Sequence, residues 1–231
     1  MKILALETTE KFGSVALLES DHVLAETILP KDRRSSQTLH PALQTLFQKT
    51  RLTPQEIDYV AVITGPGSFT GLRVGVTAAK VFAYTTGAKV VALDTFQTIA
   101  AAMSHPDTIS IGVDAQRGEV VSVVLRRTEE GIEMVKEPML IAVSDWWKHA
   151  ELYDNVLFTG PALERWAGKA PPHLALAAES DWLPKASVAG KLAAVRIAAV
   201  RIASGLLDDV WSLLPIYSRL SAAEEKRSAL Y

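Results

Sequence analysis

The stretch Ile63-Thr64-Gly65-Pro66-Gly67-Ser68-Phe69-Thr70-Gly71-Leu72-Arg73-Val74-Gly75 decides how the chain is read. The apolar run before it, residues 60–63, predicts a strand. The small and apolar residues from Thr70 onward predict a helix to about Thr86, closed by Gly87 as its C-terminal cap. Strand, glycine loop and helix N-terminus together turn backbone N–H groups toward an anion. The same glycines serve equally well in a tight turn that needs positive φ, and the spacing leaves both readings open. The loop is not a Walker loop, because no Gly-Lys-Ser/Thr follows. It is not the dinucleotide fingerprint either, because its glycines fall at 65, 67 and 71.

The helix after the loop has an unusual surface. At about 100° per residue, Arg73, Thr77, Lys80 and Tyr84 fall in one narrow band. Most of the remaining circumference is small or apolar, from Leu72, Val74 and Val76 to Val81, Phe82 and Ala83. Such a helix is buried on several sides, by its own domain or by a second chain.

Working outward, residues 2–8, 13–19 and 22–29 read as strands joined by hairpins, the first of them central because Ile3, Leu4, Ala5 and Leu6 are all apolar. Residues 36–50 form an amphipathic helix with Leu39, Ala42, Leu43, Leu46 and Phe47 on one stripe. Thr53-Pro54-Gln55-Glu56 is a capping box that opens a short helix. A strand at 90–93 and a helix at 95–104 follow, until Ser104-His105-Pro106-Asp107 breaks the pattern. That break is the expected boundary between an N-terminal lobe, 1–106, and a C-terminal lobe, 107–231. The second lobe opens as the first does, with strands at 109–114, 119–127 and 132–136. A helix at 144–150, strands at 155–159 and 174–177, a helix to 167 and a long helix at 187–204 complete it. The last of these is expected to pack back on the first lobe. It carries Ala-Ala-Val-Arg-Ile twice in tandem, with Arg196 and Arg201 on diverging faces. The expected class is therefore α/β, with two similar lobes, each a mixed sheet with flanking helices.

Composition bounds the function. The chain has 231 residues, 48% of them hydrophobic and 22% charged, as in a globular domain with a real core. A formal net charge of −2 gives no global field to draw nucleic acid. The absence of cysteine excludes disulfides and thiol chemistry and fits a cytoplasmic protein. No stretch approaches the roughly 20 apolar residues that span a bilayer, so no membrane association is expected.

Four stretches, in order along nearly the whole chain, carry a family resemblance: Ile3-Leu4-Ala5-Leu6-Glu7-Thr8-Thr9 with Gly13-Ser14-Val15-Ala16-Leu17; the glycine loop; Val113-Asp114-Ala115-Gln116-Arg117-Gly118-Glu119-Val120; and Pro215-Ile216-Tyr217-Ser218-Arg219. They resemble the TsaB (YeaZ) family, bacterial partners of the tRNA threonylcarbamoyladenosine transferase TsaD. The resemblance implies the two-lobed actin/hexokinase-like (ASKHA) fold. It implies a non-catalytic subunit that binds and activates TsaD in the modification of tRNA adenosine 37 to N6-threonylcarbamoyladenosine (t6A), with the ATPase TsaE joining the complex. It further implies a homodimer when the chain is alone, and tRNA contact only through the complex.

Residues can be assigned on that basis. The partner face is expected on the first-lobe helices, at Leu39, Leu43, Leu46, Arg73, Thr77, Lys80 and Tyr84. TsaD carries a His-x-x-x-His metal pair where this chain has Thr95 and Ile99, neither able to offer an imidazole, so no metal site is expected. The five histidines, at 22, 40, 105, 149 and 173, have no ligand spacing. Glu7 and Asp114 end matching strands, where members of the fold hold magnesium, or else each caps a hairpin. With Gly65, Gly67, Ser68, Thr70 and Gly71 they are the nucleotide or phosphate candidates. No nucleophile and base can be assembled, so no catalytic residue is assigned and no cofactor is expected beyond weak ATP or ADP with magnesium. The alternative is an active nucleotide-dependent phosphotransferase or ATPase of the same fold.

Overall fold

The computed structural model describes residues 1–103, 108–129, 131–203 and 208–219. Strands β1 (Lys2–Glu7), β2 (Ser14–Glu19) and β3 (His22–Ile28) form a meander, followed by helix α1 (Ser35–Thr50), strand β4 (Tyr59–Gly65), helix α2 (Phe69–Thr86), strand β5 (Lys89–Asp94) and helix α3 (Thr95–Ala102). The second half repeats the opening with β6 (Thr108–Asp114), β7 (Glu119–Thr128) and β8 (Gly131–Ala142). The short helices α4 (Val143–Trp147) and α5 (His149–Leu152), strand β9 (Val156–Thr159), helix α6 (Leu163–Trp166), strand β10 (Ala175–Leu176) and the long helix α7 (Ala186–Ala203) complete the order.

The strands build two five-stranded sheets, ordered β3-β2-β1-β4-β5 and β10-β9-β6-β7-β8. Read in opposite directions, the two orders are the same wiring. In each, a three-strand antiparallel meander continues into parallel strands, β1 against β4 and β6 against β9. This is the two-lobed ASKHA architecture.

Strand periodicity explains how the first sheet is covered. Leu4, Leu6, Val15, Leu17, Val60 and Val62 face α1 and α2. Their neighbours Ile3, Ala5, Ala16, Leu18, Ala61 and Ile63 face Ala186, Ala189, Ala193 and Ile197 of α7. The last helix of the chain thus completes the core of the first lobe. Conversely α3, in the first half, sends Phe96, Ile99, Ala100 and Met103 into the core under β6 and β7. The Arg127 guanidinium ties the end of α3 down, donating to the carbonyls of Ala100 and Met103 at 3.0 and 2.6 Å.

Several expectations change. Strand β8 extends to Ala142 rather than stopping near 136, running through Pro138; it is an edge strand, where a missing N–H is tolerated. The helix expected at 144–150 is two short turns, α4 and α5. The boundary placed at Ser104–Asp107 lies outside the described residues, as do Ser204 and the side chains of residues 200–202, Arg201 included. Arg196, the first arginine of the tandem repeat, donates to the Ala92 carbonyl at 2.6 Å and pairs with Asp208 at 3.1 Å. Among the described residues no helix is long and apolar enough to cross a membrane.

A buried polar chain lies under the second sheet. Trp146 Nε1 donates to Ser110 Oγ at 2.9 Å, and Ser110 Oγ sits 2.9 Å from His149 Nδ1. Which of the two donates follows the imidazole tautomer, and the neutral ring satisfies the contact in either form. Burial first, then the Lys136 charge, lowers the His149 pKa to about 4. In an NMR titration the His149 ring protons are expected to stay at their neutral shifts from pH 8 to pH 5. A midpoint near 6.5 would show that the pocket does not exclude the imidazolium.

Candidate functional site

The loop and the start of α2 are built on the first hairpin. Ser68 caps the helix, its Oγ accepting from Gly71 N–H at 3.3 Å, and Ser68 N–H donates to the Thr9 carbonyl at 2.7 Å. Thr8 Oγ1 donates to the Gly71 carbonyl at 2.7 Å. This closeness explains the glycines. A Cβ on Gly71 would overlap the Thr8 carbonyl oxygen, and one on Gly67 would lie 2.6 Å from Thr9 Cβ. Of the loop glycines 65, 67 and 71, only Gly65 has positive φ, with a value of 133°. Gly67 is required by the approach of Thr9. The N–H groups of Phe69 and Thr70, in the first turn of α2, find no acceptor among the described residues.

That turn opens into a cleft of about 890 Å³ between the lobes. Glu10, Lys11, Gly67, Ser68, Phe69 and Thr70 line it from the first lobe. Asp114, Ala115, Gln116, Pro161, Glu164 and Arg165 line it from the second, with Tyr217, Ser218 and Arg219 along one border. Of the nucleotide candidates, Gly67, Ser68, Thr70 and Asp114 are brought together here. Glu7, Gly65 and Gly71 are not: all three are buried behind the wall. Sequence reasoning missed Glu10, Lys11, Glu164 and Arg165, which lie in loops or short turns without a motif, and gave Gln116 no role although it quoted the motif that holds it. It quoted Tyr217 and Arg219 but gave them no role.

The electrostatics are those of a carboxylate cluster. Glu7 is fully buried, and its Oε1 accepts from the N–H and the hydroxyl of Thr9 at 2.5 and 2.6 Å. Its Oε2 has no partner among the described residues. Burial outweighs those hydrogen bonds and raises the Glu7 pKa to about 7. Glu10 is raised well above the usual carboxylate range, by burial first and then by the charges of Glu7, Glu164 and Asp114. Asp114 Oδ2 pairs with Arg165 at 3.3 Å, and its Oδ1 accepts from Gln116 N–H at 3.1 Å. Magnesium held jointly by Glu7 and Asp114, as the fold implies, does not fit this geometry. Glu7 lies behind the cleft wall rather than on it, and Asp114 is paired with Arg165, so the two carboxylates do not face one open site. Among the described residues no group of three or more His, Cys, Asp or Glu is arranged to hold a metal ion.

A second concavity, of about 600 Å³, lies between α1 and α2, with Leu43, Arg73, Thr77, Val81 and Phe82 among its walls. Of the residues expected at a partner face, Leu46 is 0% exposed and Leu39 only 6%. The stripe that carries them is the core stripe of α1, so Leu46 offers no surface and Leu39 very little. Leu43 is half-buried and Thr77 exposed. The polar band of α2 meets a segment of its own chain rather than water alone. Lys80 Nζ donates to the Trp211 carbonyl at 3.2 Å, and the Tyr84 ring meets the Trp211 ring edge-on at 5.8 Å. Arg73 Nε donates to Tyr217 Oη at 2.9 Å, with its guanidinium 3.9 Å over Phe69. Tyr84 and Trp211 nevertheless remain 73% exposed, and Val81 57%.

A sequence model of the family described as "TsaD: tRNA N6-adenosine threonylcarbamoyltransferase" matches residues 22–230. The Bacillus subtilis (strain 168) tRNA threonylcarbamoyladenosine biosynthesis protein TsaB is 34% identical over 162 residues, covering 69% of this chain and 71% of that protein. The chain belongs to the TsaB family. The Phytoplasma australiense tRNA N6-adenosine threonylcarbamoyltransferase is 39% identical over 101 residues, 37% of this chain and 31% of that one. Among solved structures, YeaZ from Pseudomonas aeruginosa superposes with a TM-score of 0.72 at 23% identity, over 94% of this chain and 99% of that one, a match of fold. Thr95 Oγ1 donates to the Pro66 carbonyl at 2.6 Å, and Ile99 is wholly buried in the core.

Proposed function

We propose that this chain is a non-catalytic subunit that binds and activates TsaD in making t6A at position 37 of tRNA. The observation that carries the reading is its likeness to Bacillus subtilis TsaB over more than two thirds of both chains. The site supports it: Thr95 and Ile99 are committed to packing and to a backbone carbonyl, where TsaD needs imidazoles. Transfer of the threonylcarbamoyl group from its adenylate to adenosine is then TsaD's chemistry, with TsaE joining the complex and tRNA reached through it. The chain works without a resident metal or cofactor, in the cytoplasm.

The partner face in this reading is the groove between α1 and α2 with its rim. Leu43, Val81 and Phe82 supply an apolar centre, and Arg73, Thr77, Lys80 and Tyr84 supply a polar and aromatic border. Helices of TsaD, or of a second copy when the chain is alone, would fill it. Reconstitution with TsaD, TsaE, threonylcarbamoyl-adenylate and tRNA tests the function: t6A is expected with this chain present and not without it. Lys80→Glu combined with Tyr84→Ala tests the face. The double variant should keep cooperative melting and lose at least about tenfold in affinity for TsaD. Parental affinity in a folded double variant would remove α2 from the interface.

The second reading, a nucleotide-dependent phosphotransferase or ATPase, is favoured by the size of the cleft and by the Phe69 and Thr70 N–H groups that open into it. Calorimetric titration with ATP and magnesium separates the two: tight binding supports the phosphotransferase, weak or absent binding the subunit.

A further inference from the structure

The Pro215-Ile216-Tyr217-Ser218-Arg219 ending belongs to a segment, residues 208–219, that touches both lobes. It begins at the exposed edge of the first sheet. Asp208 bridges Val90, and its Oδ2 accepts from Ala92 N–H at 2.8 Å. It then crosses the flank of α2, where Leu213 is buried in the first-lobe core. Ile216 N–H donates to the Thr64 carbonyl at 2.7 Å, and the Ile216 carbonyl oxygen fills the space where a Gly65 Cβ would stand, 2.5 Å from it. The Tyr217 ring packs on Phe69 at 4.6 Å. Arg219 then reaches the second lobe. Its Nη1 donates to the Ala115 carbonyl at 3.2 Å and to Glu119 Oε2 at 2.9 Å, on the turn between β6 and β7.

The geometry points to a strap: residues 208–219 hold the two lobes at a fixed opening of the cleft, with Arg219 as the anchor on the second lobe. Lobes joined by few crossings move relative to one another unless something restrains them. A segment pinned along the first lobe and ion-paired to the second restrains the hinge as a brace does. The Arg219–Glu119 pair suits that task, because its side chains are only 27% and 35% exposed and salt screens it less than a surface pair. Arginine donates to a carboxylate and a carbonyl at once, which fixes direction as well as distance. The strap concerns the isolated chain and does not depend on the TsaD reading.

The chain has no cysteine, so nitroxide labels can be placed without background. Lys49→Cys on α1 and Glu151→Cys on α5 put one label on each lobe at exposed positions. Pulsed dipolar spectroscopy then reads the separation of the lobes. The parent is expected to give one narrow distance distribution. Arg219→Glu and Glu119→Lys, each alone, should broaden it and add a longer population. The charge-swapped pair Arg219→Glu with Glu119→Lys recovers the ion pair without the Ala115 contact, and should give a distribution narrower than either single. If either single variant is compromised in folding, shown by circular dichroism, the other single and the swapped pair still decide. Folded single variants as narrow as the parent would overturn the strap, as would a swapped pair as broad as the singles.

Discussion

Gly71→Ala is expected to lower the unfolding free energy by about 3 kcal/mol, or to prevent folding. The added methyl would enter the Thr8 carbonyl oxygen, which is backbone at the end of central strand β1 and has no room to withdraw. The roughly 1 kcal/mol that alanine ordinarily gains over glycine inside a helix cannot offset such an overlap. Gly87→Ala is the control. Gly87 has φ of 79° with open space around its Cβ position, so only the conformational cost remains, about 1 kcal/mol. Denaturant melts of the two variants should differ several-fold in destabilisation. Equal losses would mean that α2 is not held against the first hairpin by that contact.

Glu7→Gln is expected to stabilise the protein at pH 8 by about 2 kcal/mol and to change little at pH 4. The folded state raises the Glu7 pKa from 4.5 to about 7, so the folded chain keeps a proton that the unfolded chain releases. The associated stability is full below pH 4.5, falls as the pH rises toward 7, and is gone above that. Glutamine keeps a carbonyl oxygen to accept the Thr9 N–H and hydroxyl, and carries no charge to desolvate. His149 works the other way. Its folded pKa, lowered from 6.5 to about 4, makes its contribution full above pH 6.5 and lost as the pH falls through 4. The parent should therefore show a stability maximum between these losses, and Glu7→Gln should move it to higher pH. A Glu7→Gln melting profile parallel to the parent's at every pH would show that the carboxyl titrates normally.

Local signals made much of this molecule readable. The alternation in strands β1 and β4, the capping box at Thr53 and the glycine after Thr86 act within a few residues, and each element formed where they put it. Helix α2 was expected to be buried on several sides, whereas the fold buries one stripe, Leu72, Gly75, Val76, Ala79 and Ala83, and leaves Val81 exposed. What covers one flank was not legible, because Trp211 and Tyr217 lie far along the chain and carry no periodicity that points back to Lys80 or Arg73. The cleft was half legible. Gly67, Ser68 and Thr70 sit in a motif and Asp114 ends a strand, whereas Glu10, Glu164 and Arg165 converge only through tertiary folding. Leu39 and Leu46 were assigned to a partner although their stripe is the one that any amphipathic helix turns to its own sheet. Gly67 shows the same limit at the level of one atom: sequence identifies a required glycine, and only the position of Thr9 says why.

The placement of α7 has a consequence for the order in which the protein can be completed during synthesis. The first sheet is laid down early, yet the face formed by Ile3, Ala5, Leu18, Ala61, Ile63 and Leu93 waits for alanines at 186, 189 and 193. Until those residues emerge from the ribosome, that face is a greasy plane with no lid of its own, and the second lobe must be made in the interval. Contacts spanning such separations form late and slowly, and they leave apolar surface open to chaperones in the meantime. A chain stalled just before residue 186 would therefore be sticky rather than half-finished and stable.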